Sequence, residues 1–498
     1  MKYVYLIIIA LSAVLLFFTI RGESGNPTPR EIEFEQNVPG RAFESSQERA
    51  RYAQVLSLYH EQSVAIDTFA SMGTPDIGKI NGHYYSFFPP VLSVMALPFY
   101  HAGLLLGMSQ LFTFLVPGIF WIGTMLVVAR FAGKLGLPWP IALFCTAAFG
   151  FATNAWSYSV TFYAHIVSAF FVVSGLYLVS TLKKGNSFLK LIVIWLLYGI
   201  AVWTDYPNIF TYMPIAVLAL VYSFTITEKN SYYILRVKLL PLLAPLVFLA
   251  VIAGYGWYNH THFGSPLTLS NTIPRVRDLH VAELAIPETN RRETNALDAF
   301  KTRNMLEGFN SFLFRLDRGM LIYSPVVLLF VFGILRMKHI PDAVKTGLVS
   351  VPLINIVMYS MFGDPYGGWA FGSRYMIVML PELVLLAGLG LYFTKGWIVK
   401  LIYSAVFIYS AAISLLGTLT TNVIPPKIEA VGLGLDWTYR INIKMLTENN
   451  LSSFAYNTYF SDSLSGISYY LIILSIIACA GLTGIWYRRG KKHGHSLT

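Results

Sequence analysis

Hydrophobic and polar residues follow one another along this chain in long blocks. Apolar runs occupy 3–20, 89–107, 111–129, 138–155, 164–181, 188–203, 207–225, 237–257, 319–335, 343–362, 375–394, 397–419 and 467–487. A helix that crosses a bilayer needs about 20 apolar residues, and these runs approach that length. The pattern predicts an all-α polytopic membrane protein. The first run is longer than the apolar part of a secretory signal, and no small-x-small cleavage site follows it before Arg21. It is expected to remain as the first transmembrane helix, with Lys2 holding the N-terminus inside.

Basic residues decide which runs cross. Suppose 89–107 does not. Then Arg130/Lys134, Lys183/Lys184/Lys190, Lys229/Arg236/Lys238, Arg336/Lys338/Lys345, Lys395/Lys400 and Arg488/Arg489/Lys491/Lys492 all fall in the cytoplasm. If it crosses, each of these short basic loops moves outside, against the positive-inside rule. Run 89–107 also opens with Pro89-Pro90 and carries Pro98, Tyr100 and His101, as suits an interfacial helix. The expectation is twelve transmembrane helices in a multi-pass cell-membrane protein with both termini cytoplasmic. The outer loops are then 21–110, 258–318 and 420–466, and the inner ones are short. Residues 1–419 would form one catalytic module. Residues 420–498 would add an outer loop, the last helix and a basic tail.

Composition agrees with this picture. The chain has 498 residues, 55% of them hydrophobic and only 12% charged, against about 25% charged in soluble domains. Its net charge of +11 is explained by loop topology. No basic cluster with aromatics in a soluble domain points to nucleic acid. Cys145 and Cys479 each sit in an apolar run without metal-type spacing.

The first outer loop carries the densest chemistry. Residues 46–60 (SQERARYAQVLSLYH) predict an amphipathic helix along the membrane surface, capped by Ser46, with Ala50, Ala53, Leu56 and Leu58 among its apolar positions. Glu48 shares it with Arg49 and Arg51, which suits a solvated pair. Asp67 and Asp76 flank Gly73-Thr74-Pro75. Each serves either as a turn cap or as a base at a cavity mouth, tuned by partial desolvation. Lys79, His83, Tyr84, Tyr85, Phe87 and Phe88 follow, before Pro89-Pro90.

Further candidates sit at other predicted outer ends. Arg374 closes the segment 363–375, which also holds Trp369, and Arg318 heads run 319–335. Either arginine anchors the interface or holds a phosphate through its planar fork. Asp205, in TDYPN, is a turn cap or a functional carboxylate. His165 heads run 164–181, and Glu382 lies inside run 375–394. No metal-ligand spacing, nucleotide loop or serine-nucleophile motif is present. The residues leave a divalent-cation requirement open.

Six segments together resemble a known family. They are RARYAQVLSLYHEQSVAID (49–67), DIGKINGHYYSFFPP (76–90), SYSVTFYAH (157–165), TDYP (204–207), DRGMLIYSP (317–325) and GGWAFGSRY (367–375). In order and placement they resemble the GT-C glycosyltransferases, which use polyprenyl-phosphate-linked sugars. The resemblance is to members distantly similar to protein O-mannosyltransferases and to the aminoarabinose transferase of lipid A. It implies sugar transfer at the outer face to a glycan, lipid or protein acceptor. It implies an acidic base in the first loop (Asp76, Asp67 or Glu48) and a Pro-Pro-led juxtamembrane helix. It further implies Arg374 and Arg318 on the lipid phosphate, with the aromatics and Trp369 lining the groove. The paired acidic motif of better-known members reads Gln47-Glu48-Arg49 here. The alternative from another class is a transporter or flippase of lipid-linked or small polar substrates, which would show repeats and polar groups at the midplane.

Overall fold

The computed structural model describes residues 2–183, 187–229, 232–277, 279, 300–363 and 366–486. The expected basic tail 488–498, Lys184, residues 364–365 and the stretch 280–299 of the second outer loop lie outside them. The structure is mostly helical, and its helices fall on the apolar runs. Lys2–Thr19, Val91–Leu105, Ser109–Lys134, Trp139–Phe151, His165–Ser180, Phe188–Thr204, Asp342–Ser360, Trp397–Leu419 and Gly466–Ile485 each match one run. Run 319–335 is broken into Met320–Tyr323, Pro325–Leu329 and Phe330–Ile334. Pro325 causes the break: it lacks an N–H and disfavours helical backbone at Ser324, whose φ is −152°. By length and composition, six helices among the described residues can cross a membrane, and the other apolar helices are shorter.

The 3-10 turn Arg374–Met379 leads into Leu380–Phe393, whose first turns through Leu391 are buried throughout. This is the central rod of the bundle. Helix Pro245–Phe263 is its opposite, with only Tyr255, Asn259 and Phe263 buried. It flanks Phe188–Thr204 and leaves space between itself and the bundle.

The first outer loop departs from the expected surface layer. Helix Ser46–His60 is buried on every side from Glu48 to Ser57, so it is a core element and not an amphipathic surface helix. Its cap is Ser45 rather than Ser46, in a capping box with Glu48. One buried ion pair locks the loop to the bundle. Arg21 pairs with Glu44 and donates to the Gly417 carbonyl at 2.8 Å. Glu44 in turn accepts from Thr421 Oγ1 at 2.6 Å and from the Asn422 main-chain N–H at 2.7 Å.

Helix Val91–Leu105 runs beside Ser46–His60. Ser93 Oγ donates to Gln54 at 2.8 Å, and Tyr100 bonds His60 at 2.9 Å. Its 15 residues span about 22 Å at 1.5 Å each, short of a hydrocarbon core of about 30 Å. The Gly25 N–H donates to the Gly107 carbonyl at 2.9 Å, so the loop ends beside its beginning.

Two small sheets interrupt the all-α expectation. Ile77–Ile80 pairs antiparallel with His83–Ser86 and with Arg275–Val276. The hairpin turns on Asn81-Gly82, both at positive φ (53° and 85°), as a two-residue loop matched to strand twist requires. A second hairpin joins Phe224–Lys229 to Tyr232–Val237.

Candidate active site

The space beside helix Pro245–Phe263 is a cavity of about 1120 Å³. Its walls are apolar and aromatic, including Phe87, Leu249, Ile252, Phe300, Tyr359 and Phe362. Its polar head is formed by Gln47, Arg51, His165 and Asp205. A long apolar chamber with a few convergent polar groups at one end is the usual form of a ligand site.

The buried loop helix supplies one side of that head. Gln47 and Arg51 are four residues apart and so share a helix face. Arg51 lies flat on the Phe88 ring, 3.8 Å from its centroid. Burial pulls its pKa down to about 10, opposed chiefly by the Asp205 charge, so the guanidinium is still charged at neutral pH. Behind Gln47 stands Arg374, also buried. With the Gln47 amide carbonyl turned towards it, that oxygen accepts from both terminal nitrogens of Arg374, at 3.1 and 2.8 Å. Arg374 Nε is buried and has no hydrogen-bond partner among the described residues. Among the described residues, neither arginine has a carboxylate within ion-pair distance. A buried cation is expensive unless its charge is balanced; here the Asp205 carboxylate is set against Arg51 and, behind Gln47, Arg374, so the head suits an anion.

Asp205 forms the other side. It ends helix Phe188–Thr204 in extended backbone. The TDYPN turn closes through its main-chain carbonyl, which accepts from the Asn208 N–H at 3.1 Å. Its carboxylate is therefore not the turn cap, and its side chain is 20% exposed, 3.4 Å from His165 Nδ1. It is the carboxylate among the cavity-lining residues. The His165 ring stands edge-on to Tyr375, centroids 5.8 Å apart.

The other acidic candidates are engaged elsewhere. Glu48 is fully buried rather than a solvated partner of Arg49 and Arg51. It accepts from Thr161 Oγ1 and, at 3.1 Å, from the Ser45 main-chain N–H. Burial, reinforced by the Glu44 charge, pushes its pKa up to about 8. Arg49 is spent on the carbonyls of Met72, Thr74 and Phe43, at 2.8, 2.9 and 2.9 Å. Asp76 accepts from Ser46 Oγ at 2.6 Å and pairs with Arg275 at 2.6 Å. Asp67 caps the hairpin: it accepts from the Tyr84 N–H at 2.7 Å and pairs with His83 at 2.7 Å, 43% exposed. None of these three carboxylates lines the cavity.

The same holds for several expected ligands. Lys79 lies over the Tyr84 ring, and Tyr85 packs on His262 and Phe263, all in the hairpin layer. Trp369 Nε1 donates to Glu429 at 2.7 Å. Arg318 is a clamp, not a cavity residue: it bonds Asp317 at 3.3 Å, the Gly368 carbonyl at 2.9 Å and the Tyr366 carbonyl. Of the expected site residues, the structure therefore brings together Arg374, Asp205 and His165. It adds Gln47 and Arg51, whose four-residue spacing was the available signal. Glu382 is wholly buried, and neither of its side-chain oxygens has a partner among the described residues. Among the described residues no three His, Cys, Asp or Glu side chains gather as a metal set.

No family model matches the sequence, and no curated protein does. Among solved structures, ArnT from Cupriavidus metallidurans bound to undecaprenyl phosphate aligns with a TM-score of 0.50 at 12% identity. The alignment covers 96% of this chain and 76% of that one. Apo ArnT gives 0.48 at 12% identity and the same coverage. The apo Archaeoglobus fulgidus oligosaccharyltransferase gives 0.43 at 13% identity, over 92% of this chain and 59% of its own. The likeness to ArnT at 0.50 shows a shared fold across nearly the whole chain, and it is the GT-C fold that the sequence resemblance implied.

Proposed function

We propose that this chain is a membrane glycosyltransferase that moves a sugar from a polyprenyl-phosphate donor to an acceptor at the outer face of the cell membrane. The observation that carries this reading is Arg51 at the polar head of an apolar cavity, with Arg374 buried behind it on Gln47, neither with a carboxylate at ion-pair distance among the described residues. The polyprenyl chain lies along the apolar wall and its phosphate at the head. The undecaprenyl phosphate bound to ArnT, which shares the fold, supports this class of lipid. Both termini are cytoplasmic, and helix Val91–Leu105 stays on the outer face beside the loop helix.

Asp205 takes the proton of the acceptor hydroxyl, with His165 3.4 Å away orienting it. The acceptor oxygen bonds the sugar's anomeric carbon as the bond from that carbon to the phosphate oxygen breaks. The electron pair stays on the phosphate, where Arg51 stabilises it, backed by Arg374 through Gln47. Fixed charges aimed at developing charge in a site largely shut off from water are the strongest form of such stabilisation. Glu48 is a positioning group: it caps the loop helix and so places Gln47 and Arg51. Asp67 and Asp76 hold the hairpin layer.

Purified protein is incubated with a panel of polyprenyl-phosphate sugars and candidate acceptors, and released polyprenyl phosphate is measured. Wild type turns over at least one pair, and Asp205→Asn lowers kcat by about 10²–10⁴, the usual contribution of a general base. Full activity in Asp205→Asn contradicts the assignment of the base. Failure to bind any polyprenyl-phosphate sugar contradicts the function.

A further inference from the structure

The cavity changes character along helix Pro245–Phe263. Leu249, Ile252 and Ala253 line it from the middle of the helix, and Tyr255 and Asn259 line it nearer the C-terminal end. From Leu249 to Asn259 is about 15 Å at 1.5 Å per residue. One helix thus presents an apolar wall and then a polar lobe. The loop after the helix closes the lobe with Pro266, Leu269 and Thr272. Tyr206 joins the lobe to Asp205, its chain neighbour at the polar head.

Hydrogen bonds decide what the lobe offers. Asn259 is 1% exposed. Its Nδ2 donates to the Pro266 carbonyl at 3.2 Å, and its Oδ1 is buried with no hydrogen-bond partner among the described residues. A buried acceptor left unmatched is costly, so this one calls for a donor from a ligand. Thr272 spends its proton on the Leu269 carbonyl at 2.8 Å and keeps its lone pairs. Ser270 Oγ donates to the Phe87 carbonyl at 2.8 Å, so the Tyr206 hydroxyl is the donor in its 2.5 Å bond with Ser270. The Tyr255 hydroxyl neighbours Tyr206 and the Asn259 amide. Its ring stacks with those of Trp203 and Tyr206, centroids 5.2 and 6.1 Å away. Among the lining residues, the carboxylate and the guanidinium are Asp205 and Arg51, both at the head with His165, and His260 is exposed. Arg275, just past the loop, is spent on Asp76 and the Pro75 carbonyl.

We propose that this lobe holds the sugar ring of the polyprenyl-phosphate donor, that the ring is uncharged, and that Asn259 Oδ1 accepts from one of its hydroxyls. This rests on the glycosyltransferase reading and adds the chemical class of the sugar. The layout orders the ligand, with its chain on the Leu249 wall, its phosphate at the head and its sugar in the lobe. A hydroxyl supplies the missing donor without bringing a charge into a buried site. An ammonium would find no carboxylate in the lobe, since Asp205 is set against Arg51. A carboxylate would face the acceptors of Asn259 and Thr272.

The test is the affinity that the sugar adds, read on the purified full chain as the Kd for polyprenyl phosphate divided by the Kd for the sugar-bearing lipid. The probes are polyprenyl phosphate and its glucose, mannose, arabinose and glucosamine conjugates. In wild type the ratio is about ten or more for at least one uncharged sugar, and smaller for glucosamine. Asn259→Leu brings that ratio near one and leaves the Kd for polyprenyl phosphate unchanged. Thr272→Val lowers the ratio in the same direction. Both Kd values come from one preparation, so a poorly folding variant does not shift the ratio, and the wild-type arms test the proposal without any variant. A ratio near one for every uncharged sugar, a ratio that Asn259→Leu retains, or tighter binding of the glucosamine lipid overturns the proposal and leaves the lipid-phosphate site standing. Binding of none of these lipids contradicts the glycosyltransferase reading and the proposal with it.

Discussion

Two groups of buried arginine divide this molecule. Arg21, Arg49 and Arg318 are committed to the fold: Arg21 holds Glu44 and Gly417, Arg49 three carbonyls, and Arg318 Asp317 and two carbonyls. Arg51 and Arg374 share the same burial without a carboxylate, and between them lies Gln47 at the head of a cavity. Residue type and depth are alike in both groups. What differs is the inventory of partners, and that inventory separates arginines that hold the fold from arginines left for a ligand.

Breaking the second group has the largest effect on chemistry. Arg51→Gln should lower kcat by about 10²–10³, as loss of one charge-stabilising donor does, and Arg374→Gln should act in the same direction. Thermal melting of both should stay near wild type, because neither arginine forms an ion pair that anchors the fold. Breaking the first group should invert that result. Arg21→Met leaves Glu44 buried and unpaired and should cost about 3–5 kcal/mol of stability. Lipid binding per folded molecule should be unchanged, as read by melting alongside a titration.

A subtler test concerns Glu48. Its folded pKa of about 8 lies above the ordinary 4.5, so the folded state keeps a proton that the unfolded chain releases between those values. Stability should therefore fall as pH rises from about 4.5 towards about 8 and level off above. Glu48→Gln should flatten that slope in melting curves recorded across the range. The smallest effect belongs to Asp67. Its pair with His83 is half exposed, so Asp67→Asn should cost below about 1 kcal/mol and leave turnover close to wild type.

The helices were legible because apolar runs announce themselves without reference to partners. Nearly every run became a helix, and Pro325 marked the break in 319–335. The first loop was less legible. Its helix looked like a surface element because Glu48, Arg49 and Arg51 read as solvated charges. Their partners are main-chain carbonyls, Thr161 and a ring, which no local pattern encodes. The hairpin at Asn81-Gly82 had a clear local signal in its dipeptide, and the aromatics around it drew attention instead. Asp67 and Asp76 stood out as loop carboxylates, and the structure gives each a hydrogen-bonded post in the hairpin layer. Asp205 looked equally suited to capping its turn. Only the three-dimensional path showed its main chain doing that and its side chain left in the cavity.

The central claim is that Arg51, at the cavity head, and Arg374, behind it on Gln47, hold a lipid phosphate. It is tested most directly by the Kd for polyprenyl phosphate, measured on the purified full chain for wild type, Arg51→Gln, Arg374→Gln and Arg318→Gln. The account predicts that the first two substitutions weaken binding about tenfold or more, while Arg318→Gln binds as wild type in whatever fraction folds. Equal affinity in wild type, Arg51→Gln and Arg374→Gln would contradict it.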